Sequence, residues 1–188
     1  MKLIGLVGEQ AGGKGSFVSV LKEISNENIQ VVSSSAILLE ILKTLSIEPS
    51  RPNFKKLFLS LSKVFGVDFL TQAVKLRIKG LPAETSVVVY DSVRMPVDVR
   101  MVRVFNDSYL VYVTADRQLR YERARARKEK AGEGDMPYNV FLEHEDAENE
   151  RYVPDIGQSA EFKIKNNGNF GWLQAQIADT WKKINKSV

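Results

Sequence analysis

The fold is decided by one stretch near the start of the chain, Leu3-Ile4-Gly5-Leu6-Val7-Gly8-Glu9-Gln10-Ala11-Gly12-Gly13-Lys14-Gly15-Ser16. A short apolar run ends at Gly8, and Gly13 and Lys14 follow at the spacing GxxxxGK before an amphipathic run. A strand, a glycine loop of this spacing and a helix, in that order, are typical of a phosphate-binding loop. The alternative is a glycine-rich turn in an ordinary β–α unit. The coincidence of strand, spacing, lysine and helix favours the phosphate site.

The residue types of this loop suit the phosphates of a nucleotide. Glycines allow positive φ and a close approach of the backbone, so that successive N–H groups converge on phosphate oxygens. The following helix presents its amino-terminal N–H groups and its dipole to the same anion. Lys14 supplies a point charge for the β- and γ-phosphate oxygens. The predicted nucleotide-binding residues of the loop are Gly8, Ala11, Gly12, Gly13, Lys14, Gly15 and Ser16.

The composition is that of one globular domain. The chain has 188 residues, of which 44% are hydrophobic and 27% are charged, and it contains no cysteine. Disulfides and thiolate metal sites are therefore excluded. No apolar run reaches the length of a membrane span, and the first apolar run is too short for a signal sequence. We therefore expect a cytoplasmic protein that contacts no membrane.

The charge balance favours an anionic ligand. The formal net charge is +4 and the pI is near 9.2, which suits either a nucleotide or a nucleic acid. The basic residues are concentrated around residues 117–130 instead of being spread along the chain. This distribution favours a local phosphate site over a long nucleic-acid track.

Strands and helices alternate along the chain, which predicts a three-layer α/β domain with a five-stranded parallel sheet. The run at residues 86–91 is rich in β-branched residues, as a central strand covered on both faces would be. Apolar runs predict strands at residues 3–7, 29–32, 86–91, 109–114 and 162–166. Amphipathic runs predict helices at residues 14–25, 36–45, 53–65, 68–79, 96–105, 138–150 and 170–186, with a basic helix after residue 116.

Two motifs resemble those of nucleotide kinases that have a phosphate-binding loop (P-loop). The loop reads GKGS at residues 13–16, which is similar to the GKGT of adenylate kinases and differs from the general GKS. Asp91-Ser92-Val93-Arg94 resembles the DGxPR or DxR element of adenylate and deoxynucleoside monophosphate kinases. The resemblance extends over nearly the whole chain and points to the P-loop nucleoside and nucleotide kinase superfamily, including the dephospho-coenzyme A kinases.

The resemblance implies how the chain is divided. Residues 1–188 form a single P-loop kinase domain whose sheet has the strand order 2-3-1-4-5. A helical acceptor-binding insert lies at about residues 34–80, and a lid lies at about residues 123–155. These boundaries come from the resemblance and not from the periodicity of the sequence.

The resemblance also implies catalytic roles at the end of the third strand. Asp91 would orient the water shell of Mg²⁺ or accept the proton of the acceptor. Arg94 would contact the phosphates that are being joined, together with Lys14. Ser16 would reach Mg²⁺ directly or through water, or would mainly contact phosphate. The alternative for Asp91 and Arg94 is a helix N-cap followed by a surface arginine.

The basic helix after the fourth strand leads into the lid in adenylate kinase-like proteins. Arg123 and Arg127 fit the four-residue spacing of the lid arginines, and Arg120 is a near alternative. One such arginine stacks over the adenine, and others reach the transferring phosphoryl group, so we assign Arg123 to nucleotide binding and Arg127 to catalysis. The turn at Asn167 would contact the adenine through its backbone. A solvated basic face is the alternative, and His144, in place of a lid arginine, is interpreted as a surface residue.

One departure from the family pattern concerns the acceptor. Adenylate kinases read ISTGD-LLR after the second strand, and the arginine of that segment binds the acceptor monophosphate. Here the serines are kept at residues 33–35, but Leu39 stands where the arginine is expected. The predicted acceptor-binding residues are Ser34, Arg51 and Arg94, and the alternative for Arg51 is an exposed arginine without a ligand.

The predicted function is ATP-dependent and Mg²⁺-dependent phosphotransfer to a small phosphorylated acceptor, most like that of a nucleoside monophosphate kinase. A deoxynucleotide and dephospho-coenzyme A are both acceptable acceptors at this point. One alternative is a nucleotide-binding regulator or ATPase with little phosphotransfer. The other is a nucleic-acid 5′-kinase or RNA-associated factor that places the basic lid against a polymer. We expect a monomer or a homodimer.

Overall fold

The computed structural model describes residues 1–127, 134–147 and 150–186, except for the side chain of Arg51. Its centre is a five-stranded sheet in which every neighbouring pair of strands is parallel. The strand order is β2-β3-β1-β4-β5, so the predicted sheet and its order are both confirmed. The strands are β1 (Lys2–Val7), β2 (Ile29–Val32), β3 (Val87–Val93), β4 (Ser108–Thr114) and β5 (Phe162–Lys165).

Helices cover both faces of this sheet. They are α1 (Lys14–Ile24), α2 (Ser34–Thr44), α3 (Arg51–Phe65), α4 (Phe69–Lys79), α5 (Pro96–Arg103), α6 (Arg117–Arg127), α7 (Tyr138–Glu145), α8 (Val153–Gln158) and α9 (Phe170–Lys186). Two of them begin earlier than the periodicity predicts, α2 at Ser34 and α3 at Arg51.

Two hydrophobic cores, one on each face of the sheet, make the predicted three layers. On one face, α1 and α9 cover the sheet with side chains such as Phe17 and Ile177. On the other face, α4, α5 and α8 contribute side chains such as Val74, Val102 and Ile156. Because the central strands are buried on both faces, their near-continuous apolar sequences are explained.

Strand β3 extends past the predicted end at Asp91. Gly5 of β1 pairs with Tyr90, and Val7 pairs with Val93, so two residues of β3 face one residue of β1. This is a β-bulge at Asp91 and Ser92, and a bulge redirects side chains locally. The strand continues because Val93 is buried, whereas the sequence signal weakens at the aspartate.

The helix predicted at residues 138–150 is too long. Helix α7 ends at Glu145, and a separate helix α8 begins at Val153. The chain turns because Val153 and Ile156 pack into the core on the sheet, which periodicity alone does not register. Pro154, in the first turn of α8, is the signal that could have located this helix. Residues 128–133 and 148–149 of the predicted lid lie outside the described residues.

Within the described residues, no single helix is long and apolar enough to cross a membrane, and only residues 52–65 and 69–79, bent by 94°, meet the length and composition test as a pair.

Candidate active site

The glycine loop lies tightly against the end of β4. A Cβ atom at Gly8 or Gly12 would come within 2.3 or 2.7 Å of the carbonyl oxygen of Val113. Gly13 has φ of 115°, and a Cβ there would meet the amide nitrogen of Asn166 at 2.3 Å. Gly8 and Gly12 are therefore required by close packing against the backbone of Val113, and Gly13 by its positive φ and its contact with Asn166.

The other residues of the loop face a cleft. Ala11 has a positive φ of 59°, which non-glycine residues adopt mainly in tight loops. A Cβ at Gly15 would meet no atom within 4 Å, so the first turn of α1 opens onto free space. Ser16 lines the same cleft. This is the arrangement in which a helix amino terminus can receive phosphate oxygens.

Lys14 folds back over the loop. Its ammonium group donates hydrogen bonds to the carbonyl oxygen of Gly8 and, at 3.1 Å, to that of Glu9. Burial and, to a smaller extent, the positive charge of Arg94 lower the pKa of Lys14 from 10.5 to about 8. The carboxylates of Glu150, Asp91 and Glu9 act in the opposite direction. A partly buried cation with a lowered pKa indicates a place that an anion would stabilise.

Glu9 fastens the loop to β4. Its carboxylate accepts hydrogen bonds from the hydroxyl of Tyr112 and, at 2.8 Å, from the hydroxyl of Thr114. Burial, together with the hydrogen bond to Glu9, raises the pKa of Tyr112 to about 12, so the phenol stays protonated and can donate. The loop is thus held by side-chain bonds from β4 in addition to its backbone packing.

The cleft beside the loop has a volume of about 1840 Å³ and brings most of the predicted site residues together. Gly8 and Asn167 are not among the residues that line it, and the side chain of Arg51 lies outside the described residues. The predicted site residues that line the cleft are Ala11, Gly12, Gly13, Lys14, Gly15, Ser16, Ser34, Asp91, Arg94, Arg123 and Arg127.

Asp91 projects into the cleft from the bulge of β3. One of its carboxylate oxygens accepts a hydrogen bond from the hydroxyl of Ser92 at 2.9 Å, and Ser92 also meets the hydroxyl of Ser33 at 3.3 Å. Ser16 and Asp91 supply the oxygen ligands that Mg²⁺ prefers, and Mg²⁺ often takes only one or two protein carboxylates beside phosphates and water. The donor set therefore fits Mg²⁺ held together with phosphates, although the described residues contain no cluster of three or more acidic, His or Cys side chains.

Arg94 is held in place through its backbone by Asp98, a residue that the sequence reasoning missed. The N–H groups of Arg94 and Met95 each donate to one carboxylate oxygen of Asp98 at 3.0 Å. Asp98 is the third residue after Met95, just inside a helix that starts at Pro96. An acid at that position is a recognisable helix-capping signal.

The other carboxylate oxygen of Asp98 anchors a buried chain of hydroxyls. It accepts hydrogen bonds from Thr71 at 2.7 Å and from Tyr90 at 3.1 Å. Tyr90 donates its only hydroxyl proton to Asp98, so Ser34, 2.9 Å away, must donate to Tyr90. Burial and the charge of Asp98 raise the pKa of Tyr90. Ser34 consequently faces the cleft as a hydrogen-bond acceptor.

The arginines of α6 divide into two groups. Arg123 lines the cleft and donates to the carbonyl oxygen of Asn166 at 2.8 Å, and Arg127 lines the cleft as well. Arg120 is buried, donates to the carbonyl oxygen of Ala115 and pairs with Glu145 of α7. Arg120, which the sequence offers as an alternative to Arg123 and Arg127, is therefore a residue that packs between α6 and α7.

The turn after β5 places Asn166, and not Asn167, against the phosphate loop. The side-chain amide of Asn166 donates to the carbonyl oxygen of Gly12 at 3.2 Å. The side chain of Asn167 forms two 2.8 Å hydrogen bonds with Asp116, one to its carboxylate and one from its backbone N–H. The pattern Asn-Asn-Gly shows that a turn is present, but not which amide points inward.

Part of the cleft lining is apolar and comes from residues 38–70. Leu39, which stands where the resemblance leads us to expect an arginine, is one of these lining residues. His144, which the sequence favours as a surface residue, is partly buried and lines the cleft too. Further apolar side chains of the lining are Leu38, Phe54, Phe58, Leu59 and Leu70.

Comparison with solved structures identifies the fold. The shikimate kinase of Bacteroides thetaiotaomicron matches with a TM-score of 0.62 and 11% identity, over 98% of each chain. The shikimate kinase of Acinetobacter baumannii matches with 0.57 and 15%, over 100% of this chain and 94% of that one. The gluconokinase of Sinorhizobium meliloti matches with 0.54 and 13%, over 99% and 97%. The chain has the fold of the P-loop kinases. At these identities the likeness establishes the fold alone.

Comparison with curated proteins finds relatives that are 25% identical to the chain. A UPF0200/UPF0201 protein of Archaeoglobus fulgidus is 25% identical over 191 residues, covering 100% of this chain. The chain spans only 57% of the length of that relative. A UPF0200 protein of Pyrococcus horikoshii is 25% identical over 187 residues, with 97% of each chain covered. No family model matches the chain.

Proposed function

We propose that the protein is an ATP-dependent phosphotransferase that acts on a small phosphorylated acceptor, most like a nucleoside monophosphate kinase. One observation carries the proposal. A phosphate-binding loop with Lys14 opens onto the same cleft as Asp91, Arg94 and Arg123, and that cleft continues beyond them. Loop, acid and arginines are the parts that phosphoryl transfer between two bound molecules requires.

The nucleotide end of the cleft is assigned to the loop and to α6. Backbone N–H groups of residues 11–16 and the ammonium of Lys14 would hold the phosphates of ATP. Arg123 and the turn at Asn167 would border the base, and Arg127 would reach the transferring phosphoryl group. Ser16 and Asp91 would hold Mg²⁺, which supplies charge neutralisation of the phosphate oxygens when it is bound.

The acceptor end is assigned to the insert at about residues 34–80, with a lid at about residues 123–155. The hydroxyl of Ser34 can accept a hydrogen bond from the acceptor molecule. Arg94, three residues after Asp91, provides a positive charge in the same cleft. Arg51 remains part of this proposal through its place at the start of α3. A deoxynucleotide or dephospho-coenzyme A suits this arrangement as well as a nucleoside monophosphate does.

The reaction proposed is an in-line transfer without a covalent enzyme intermediate. Lys14 and Arg94 stabilise the charge on the phosphoryl oxygens, and their positions are set by the loop carbonyls and by Asp98 respectively. Asp91 orients water on Mg²⁺ or accepts the proton of an acceptor hydroxyl. Catalysis on this scheme comes from positioning and electrostatics.

A nucleotide-binding regulator with little phosphotransfer is the second candidate, since Leu39 lines the acceptor end and Arg94 is ion-paired with Glu150. A nucleic-acid partner is less favoured, because Arg117 and Arg120 of the basic helix both pair with Glu145. We place the activity in the cytoplasm, where ATP is supplied, and in a monomer or homodimer.

The decisive experiment is a panel of nucleoside monophosphates, deoxynucleotides and dephospho-coenzyme A, each incubated with the full chain, MgCl₂ and ATP labelled on the γ-phosphate. We expect label transfer to at least one acceptor, and no transfer by the Lys14→Met variant. Hydrolysis of ATP that no acceptor stimulates would favour the regulator and contradict the kinase.

A further inference from the structure

Glu150 places a negative charge in the candidate phosphate site. Its carboxylate lines the cleft and pairs with Arg94, with 3.3 Å between Oε1 and Nε. The two side chains are 23% and 35% exposed, so solvent shields the pair only in part. The arginine to which the proposed function assigns the reacting phosphates is already paired with an acid of the same chain.

The position of Glu150 is fixed by its backbone. Its N–H donates to the carbonyl oxygen of Ala147 at 2.8 Å, and its own carbonyl oxygen accepts from Val153 at 2.9 Å. Val153 is fully buried in the core on the sheet. The carboxylate is therefore presented from a turn that is anchored on the sheet.

The geometry of the pair leaves room for a stronger partner. The Nε atom of Arg94 is buried, yet within the described residues no acceptor meets it with hydrogen-bond geometry. The contact with Glu150 is therefore an ion pair without a well-directed hydrogen bond. A phosphate dianion carries more charge than a carboxylate and has more oxygens for the guanidinium fork, so it is the better partner.

Glu150 also acts on the second cation of the site. Among the acids that raise the pKa of Lys14 against the effect of burial, Glu150 has the largest influence, ahead of Asp91 and Glu9. One carboxylate is thus within electrostatic range of both cations that the proposed function assigns to phosphate groups.

We propose that Glu150 competes with phosphate for Arg94. In the ligand-free protein Glu150 is paired with Arg94, and the phosphate of the acceptor must displace its carboxylate in order to bind. The proposal rests on the proposed function, because it takes Arg94 as a phosphate ligand. Glu150 then sets the affinity of the acceptor site. It weakens the binding of every anion at this site by the free energy of its own ion pair with Arg94. It also makes the site selective for dianions, because a dianion interacts with Arg94 more strongly than the carboxylate that it replaces.

The test is a titration of inorganic phosphate into the full chain at low ionic strength, by calorimetry and by the shift of the melting temperature. We expect Glu150→Gln to bind phosphate about ten-fold more tightly, in the range typical of two ligands coupled at one site. Glu150→Asp shortens the reach of the carboxylate and should give part of this gain. Glu40→Gln removes the same charge from an ion pair with Arg77 outside the cleft and serves as the matched control.

A double-mutant cycle identifies the site. In the Arg94→Gln background, Glu150→Gln should increase the phosphate affinity by less than about a third of the increase seen in the unaltered chain, because Arg94, the cation for which Glu150 and phosphate compete, has been removed. Unchanged phosphate affinity in Glu150→Gln, or an equal gain in both backgrounds, would overturn the proposal. The binding of inorganic phosphate can be measured without any phosphotransfer. If the protein transferred phosphate to none of the acceptors, the proposed kinase activity would be refuted, but the effect of Glu150→Gln on phosphate affinity would still test the role of Glu150.

Discussion

Replacing Lys14 with methionine should show that the charge of Lys14 lowers the free energy of unfolding of the ligand-free protein. The ammonium group is partly buried near Arg94, and burial together with the charge of Arg94 lowers its pKa from 10.5 to about 8. Methionine keeps most of the length of the side chain and removes the charge, and it also removes the hydrogen bonds to the loop carbonyls. The loss of these bonds does not depend on pH, whereas the charge penalty does.

The sign and size of the effect follow from linkage. Below pH 8 the lysine is protonated in both the folded and the unfolded state, so the penalty on folding is fully present. Between pH 8 and 10.5 the unfolded state binds more protons, so the free energy of unfolding of the natural chain rises with pH. A difference of this size corresponds to about 3 kcal/mol at full burial, and partial exposure of Lys14 reduces it to about 1–3 kcal/mol.

The assay is urea unfolding of the natural chain and of Lys14→Met at pH 7, 8.5, 9.5 and 10.5, without nucleotide. Relative to the variant, the natural chain should gain about 1–3 kcal/mol of stability across this series. Other groups that titrate are common to both proteins and cancel. Lys22→Met, which removes an exposed lysine of the same helix, is the control. A stability difference that is constant from pH 7 to 10.5, or that moves in the opposite direction, would refute the reasoning.

Three further predictions concern the same site. Gly8→Ala should lower the free energy of unfolding by about 1–3 kcal/mol, because its methyl group would meet the carbonyl oxygen of Val113 at 2.3 Å. Gly15→Ala is the control: the space around Gly15 is open, so this variant should have a melting temperature within about 2 °C of the natural value. Arg94→Ala should weaken acceptor binding about ten- to a hundred-fold in steady-state assays and change ATP affinity much less, since charge-assisted bonds to phosphate contribute about 1.5–3 kcal/mol each. Calorimetry should show ATP binding more tightly than GTP, because the chain has no NKxD element for reading guanine; the reverse order would contradict the assigned base site.

The parts of the fold that the sequence predicts well are those defined by local patterns. Helix α9 has the predicted bounds Phe170–Lys186, because its apolar stripe repeats over 17 residues. Helix α1 begins at Lys14 because the glycine loop stops the strand before it. The strand order was implied by a motif resemblance and is confirmed by the sheet.

The parts that escape prediction depend on contacts between distant segments. Asp98 binds Thr71, which is 27 residues away in the sequence, and nothing near either residue indicates that contact. The bulge at Asp91 arises from the register of β3 against β1. The side-chain amide of Asn166, and not that of its neighbour Asn167, meets the glycine loop. In each case the residue type is visible in the sequence, but its direction is set by tertiary packing.

The departures at the acceptor end have a common electrostatic consequence. Leu39 stands where the adenylate kinase pattern has an arginine, and Glu150 places a negative charge beside Arg94. Each change weakens the attraction for a phosphate dianion. The lining of the same cleft also includes apolar side chains, among them Phe54 and Phe58. Burial of apolar surface contributes about 25 cal/mol per Å² and does not depend on charge. We therefore expect a good acceptor to gain affinity from an apolar body as well as from its phosphate. AMP, whose base and ribose are polar, should be a poor acceptor in the assay with labelled ATP, and efficient phosphorylation of AMP would contradict this reasoning.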